Sequence, residues 1–277
     1  MSNPAVDLHR ASAGYEDRIL WASLDLQISP GEFVAVLGAN GTGKTTLLKV
    51  LLGLRRVSAG TVRVLGASPH RGDRRIGYVP QQRSFDPALM LRGVDMVHLG
   101  LSGHRWGIGR RSLVDRARVE RALDHLGATE YSGASIGSLS GGQQQRLRVA
   151  QALVSDPELL LADEPLLSLD PSSQKDVVGA IDSHRHSTGA AVVMVTHDIN
   201  PIQSSVDRIL YLAAGRWASG TPDQVLASDT LSELYGTQVD VVTVRDRVVI
   251  VGAPASTEHS SDFDHVHEIE SHAVQQG

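Results

Sequence analysis

The sequence predicts an α/β fold built on a parallel sheet with helices covering both faces. Two strand-length runs, Leu159 to Ala162 and Ala191 to Val195, are apolar throughout and are each followed by polar residues. Continuous apolar strands of that kind belong to a sheet buried on both sides, whose ligands bind beyond the carboxyl ends. A third strand, Glu32 to Leu37, runs into a glycine-rich turn. Beyond it, Thr46 to Leu54 places apolar residues at helical spacing and closes at Gly53.

The remaining elements follow in order. Asp7 to His9 and Leu24 to Ile28 read as strands, as do the shorter Thr61 to Leu65 and Ile76 to Val79. From about 83 to 155 the chain changes character to a helical insert, in which Asp115 to Leu126 puts Val119, Ala122, Leu123 and Leu126 on one face. Val239 to Val251 alternates in the manner of a terminal hairpin. The expected organisation is a main domain over 1–222 containing that insert, a small helix-and-hairpin extension over 223–253, and a polar tail over 254–277 read as disordered.

Composition narrows the function classes. The 277 residues are 41% hydrophobic and 21% charged, and no run approaches the roughly 20 apolar residues of a membrane span. Cysteine is absent, which excludes disulfides and thiolate metal sites and fits a reducing compartment. The net charge of −5 comes wholly from Glu258, Asp262, Asp264, Glu268 and Glu270 in the tail, so the body is neutral and is not read as a nucleic-acid binder. Lysine occurs only at Lys44, Lys49 and Lys175.

Gly38-Ala39-Asn40-Gly41-Thr42-Gly43-Lys44-Thr45 matches the phosphate-binding P-loop pattern between a strand and a helix. Glycines let backbone N–H groups approach phosphate oxygens, and the helix beginning near Lys44 directs its positive end at the same anion. Lys44 would place its charge between the β- and γ-phosphates, and the Thr45 hydroxyl would reach Mg²⁺. An apolar strand ending in Asp163-Glu164 is commonplace alone. Beside a P-loop it reads as a Mg²⁺ ligand, Asp163, and a water-polarising base, Glu164.

Leu139-Ser140-Gly141-Gly142-Gln143 resembles the signature of ABC-type ATPases, and other landmarks of that family stand in order around it. Tyr15 is similar to the aromatic that stacks on adenine, and Gln81 to the glutamine that reaches Mg²⁺ or the attacking water. Ser168-Leu169-Asp170 is similar to the D-loop, and His197 to the switch histidine. The resemblance covers about residues 5 to 225. It implies a P-loop NTPase (RecA-like) core with an N-terminal antiparallel β-subdomain and an inserted α-helical subdomain. Read from its residues alone, Ser140 caps a helix and the two glycines carry no side chains, which makes a second anion site in one chain.

The resemblance assigns that second site to a partner's nucleotide. It implies a homodimer, or a pair of ATPase subunits, enclosing two MgATP head to tail. Tyr15, Gly38, Asn40, Gly41, Thr42, Gly43, Lys44, Thr45 and Thr46 would contact one nucleotide. Ser140, Gly141, Gly142, Gln143 and Asp170 would face the partner's. Glu164, His197 and Gln81 would serve hydrolysis. Separate integral membrane permease subunits, and indirectly an extracellular substrate-binding protein, would complete an importer with this chain at the cytoplasmic membrane face. Gly220 to Gly236 resembles the ending of zinc/manganese and iron–siderophore ATPases. The cargo reading is a metal ion, with metal chelates, vitamin B12 or another cargo as the alternative, and a soluble ABC ATPase outside transport as the rival class. His259, His265, His267 and His272 among the tail carboxylates suit weak Zn²⁺ or Mn²⁺ binding, against the plainer reading of an acidic solvating tail.

Overall fold

The computed structural model describes residues 3–15, 18–81, 85–102 and 112–252; the histidines of the tail lie outside them. Strands β1 (Val6–Tyr15), β2 (Arg18–Ile28), β3 (Phe33–Leu37), β4 (Ala59–Val64) and β5 (Ile76–Val79) fill the first part, with helix α1 (Lys44–Leu51) after β3. Helices α2 (Gly93–Ser102), α3 (Leu113–His125) and α4 (Gly141–Leu153) form the insert. Then come β6 (Leu159–Asp163), α5 (Pro171–Thr188), β7 (Ala191–Val195), β8 (Arg208–Ala213) and β9 (Arg216–Gly220). Helices α6 (Pro222–Val225) and α7 (Ser228–Tyr235) lead to β10 (Asp240–Val244) and β11 (Arg247–Val251).

The main sheet has the order β5-β6-β7-β3-β8-β9 and is parallel except for β9, which runs antiparallel to β8. Alternation along each strand feeds two cores. Phe33, Ala35 and Leu37 of β3 pack on the side of Leu147 of α4 and Ile181 of α5. Val34 and Val36 pack on the other side with Leu47 and Leu48 of α1. All five residues of β3, β6 and β7 are buried, so burial on both faces explains why these strands read as unbroken apolar runs.

A second sheet, β2-β1-β4, is antiparallel and lies over α1, sharing its core through Trp21, Leu24 and Ile28. β1 and β2 are longer than the sequence suggests. Val6–Tyr15 contains a serine, two alanines and a glycine with weak strand preference, yet it pairs along its length by absorbing register shifts between Leu8 and Ala11 and again near Ala13. The helix α1 starts two residues earlier and stops sooner than its periodicity indicates, because Gly53 at φ +66° breaks it.

Candidate nucleotide-binding site

The glycine-rich turn sits at the carboxyl end of β3, a central strand, with Asp163 and Glu164 at the end of β6 and His197 just past β7. Gly38 has φ +137°, and a side chain there would collide with the Leu212 carbonyl. Gly43 has φ +102°, and a Cβ would stand 2.9 Å from that of Leu20. Only glycine meets both demands at these two positions. Gly43 is also the N-cap of α1 and supplies no side-chain cap, so no side chain competes with a ligand for the first-turn amides.

Lys44 lies folded into the turn, its Nζ donating to the carbonyls of Gly38 at 2.6 Å and Ala39 at 3.0 Å. Burial pulls its pKa below the ordinary lysine value, opposed by the nearby Glu164 and Asp163 carboxylates. Thr45 Oγ1 lies 3.4 Å from Asp163 Oδ1, and burial pushes the Asp163 carboxyl above the usual range while Thr45 opposes that. A hydroxyl and a buried carboxylate side by side form a hard oxygen set that fits Mg²⁺.

Glu164 adopts φ +50°, a left-handed conformation held by its N–H on the Val195 carbonyl at 2.9 Å. Its Oε2 is 2.8 Å from His197 Nδ1. That hydrogen bond raises the His197 pKa, with the Glu164 and Asp198 charges adding to the effect and burial and Lys44 opposing it.

A cleft of about 540 Å³ brings together Tyr15, Asn40, Gly41, Gly43, Lys44, Thr45, Thr46, Gln81, Asp163 and Glu164. Gly38 and Thr42 stand outside its lining and shape the loop instead, Thr42 Oγ1 donating to the Ala39 carbonyl at 2.9 Å. Tyr15 is half-exposed at the rim, and its phenol is held below the usual value first by a hydrogen bond with Thr46. One face of its ring is covered by the Arg55 guanidinium, 3.6 Å from the centroid, which leaves the other for a base.

Two residues escaped the sequence reading. Arg18 lines the cleft and donates to the Gly41 carbonyl at 3.1 Å. Its signal is its pairing with Tyr15 across the β1–β2 ladder, which requires the full length of both strands. Arg55 has no sequence signal beyond its charge.

Ser140, Gly141, Gly142, Gln143 and Asp170 gather around a separate depression that shares no lining residue with the cleft. Ser140 caps α4 in a reciprocal box, its hydroxyl accepting from Gln143 N–H and its own N–H donating to Gln143 Oε1. Asp170 caps α5, accepting from the Ser172 and Ser173 amides at 3.0 Å. Arg146 ties the two helices by donating to Ser173 Oγ and Asp176 Oδ2 at 3.0 and 2.9 Å.

The ABC transporter family model matches residues 22–167, which takes in the turn, Ser140 to Gln143 and the β6 carboxylates. The chain belongs to the ABC transporter family. It is therefore an ATPase of the kind coupled to transport, on a P-loop NTPase core. The manganese transport system ATP-binding protein MntB of Halalkalibacterium halodurans is 32% identical over 249 residues, covering 90% of this chain and 99% of that protein. The zinc import ATP-binding protein ZnuC of Pseudomonas fluorescens is 30% identical over 276 residues, covering 100% and 94%. Among solved structures, a chain from a transporter described as metal-chelate type, in an inward-facing conformation, aligns at TM-score 0.75 and 29% identity over 90% of this chain and 96% of that one. An ATP-binding cassette solved as a dimer in a post-hydrolysis state with ADP and Pi aligns at TM-score 0.66 and 29% identity, covering 78% and 98%. Among the described residues of this chain, no helix is long and apolar enough to cross a membrane.

Proposed function

We propose that two copies of this chain close around two molecules of MgATP and drive separate membrane subunits in metal-ion import. The observation that carries the reading is the division of one chemistry between two surfaces. The cleft gathers the phosphate loop, Asp163, Glu164 and Gln81, while the Ser140 cluster that should cap a γ-phosphate lines a different surface of the same chain. The dimeric state of the relative solved with ADP and Pi supports the pairing.

Thr45 and Asp163, with Gln81 beside them, would hold Mg²⁺, which when bound supplies positive charge against the β- and γ-phosphate oxygens. Lys44 binds the same oxygens through its ammonium. Tyr15 stacks the base on its open face. Glu164 accepts a proton from the attacking water once His197 turns from its carboxylate toward the γ-phosphate. The signature residues and Asp170 of the second copy exclude water and complete the pocket. The core over 1–222 with its insert, and the extension beyond it, are the working division of the chain.

The names of the MntB and ZnuC relatives, aligned over most of the chain, favour manganese or zinc as cargo. The metal-chelate type neighbour keeps a chelated metal as the second reading. Glu164→Gln tests the mechanism. It should retain ATP binding, lower turnover by about 100-fold or more, and accumulate a dimer in sedimentation runs with MgATP. A variant that stays monomeric there defeats the proposal. Reconstitution with the permease and measured uptake of free metal against chelate separates the cargoes.

A further inference from the structure

The terminal hairpin carries a surface that nucleotide chemistry does not use. β10 and β11 pair Asp240 with Val251, Val242 with Val249 and Val244 with Arg247. Val241, Val248 and Ile250 point to the opposite face and pack against the core. The outer face therefore presents Val242, Val244, Val249 and Val251, each between 43% and 55% exposed. Solvent-facing strand positions are ordinarily polar, and four adjoining valines there mark a contact.

The charges say what kind of contact. Asp240 ends this face at one side and Arg247 at the other, about 13 Å apart at four strand steps, too far to pair within one hairpin. A two-fold axis through the central Val242–Val249 pair lays valine on valine and sets the acidic end of one copy over the basic end of the next. That self-complementarity is what an isologous interface requires.

We infer that the outer face of β10–β11 packs against the same face of a second copy of this chain. The inference rests on the paired reading of the nucleotide site, because the hairpin is too small to stand alone. Its footprint of about 17 by 10 Å is well under the roughly 1,200 Å² of total buried surface that a stable interface needs. It is a supplementary contact, and it connects inward. Val248 is clipped by the Asn200 side chain, its N–H donating to Oδ1 at 2.8 Å and its carbonyl accepting from Nδ2 at 3.2 Å. Asn200 in turn donates from its backbone N–H and from Nδ2 to Asp198 Oδ1, at 2.9 and 2.7 Å, next to His197. Hairpins joined across the two-fold axis hold both His197 loops in register.

The chain has no cysteine, so Val242→Cys introduces a lone thiol. Treated with diamide, the full-length variant should yield a covalent dimer, and Arg63→Cys on exposed β4 should not. In the Val242→Cys chain, Asp240→Arg or Arg247→Asp should each slow cross-linking about threefold or more. A one-to-one mixture of the two should restore it, because unlike copies then present opposite charges at both ends. No Val242→Cys dimer, or a mixture no faster than either variant alone, overturns the inference. Pairing of Glu164→Gln under MgATP, read by sedimentation on the same background, reports the nucleotide sandwich separately.

Discussion

The cleft below Lys44 and the depression around Ser140 are both made from helix beginnings, but they are finished in opposite ways. α1 starts at a glycine with no side-chain cap and adds the Lys44 and Arg18 cations to its open end. α4 and α5 start at Ser140 and Asp170, whose side chains already accept from first-turn amides, and Arg146 between them is engaged by Asp176 and Ser173. The first arrangement is suited to holding an anion unaided. The second has spent part of its hydrogen-bonding capacity on itself and is suited to adding a last contact to an anion held elsewhere. In the proposed dimer one helix terminus would bind and the other would complete.

That contrast predicts a graded set of effects. Lys44→Ala should weaken ATP binding by about 100-fold, since a charge-assisted contact to phosphate is lost from the surface that binds alone; calorimetry on the purified chain measures it. Ser140→Asp should leave single-chain affinity within about twofold yet reduce turnover by about 100-fold. An affinity loss there as large as that of Lys44→Ala would break the contrast.

The His197 titration sharpens the comparison on the catalytic side. Its pKa is raised chiefly by the bond to Glu164, so the stabilisation is fully present below the ordinary histidine value of about 6.5 and is lost as pH rises through the raised value. In Glu164→Gln the imidazole titration, followed by NMR, should move downward. The smallest effect belongs to the rim. Tyr15→Ala should cost roughly fivefold in affinity through lost stacking, and Tyr15→Trp should restore it.

Much of this was legible in residues. The strands that read correctly, Leu159 to Ala162 and Ala191 to Val195, are buried on both faces, so tertiary context agrees with local pattern. The P-loop was legible because its glycines answer to backbone geometry at fixed spacing. β1 and β2 were only partly legible, since bulged pairing overrides the weak propensity of their serines and alanines. Arg18 and Arg55 were missed for a related reason. Their positions come from a hairpin and a loop folded over the turn, and no motif spacing encodes that approach. The reciprocal cap formed by Gln143 is the converse case. The Ser-x-x-Gln spacing encodes a local cap as directly as the glycines encode the turn, because both of its hydrogen bonds close within four residues.

Glu164 holds φ +50°, where a residue with a side chain gives up about 1 kcal/mol and glycine does not. Every glutamate codon becomes a glycine codon through one base substitution. Glycine there would relieve the backbone but give up the 2.8 Å bond to His197, so the turn keeps its strain together with the carboxylate that uses it.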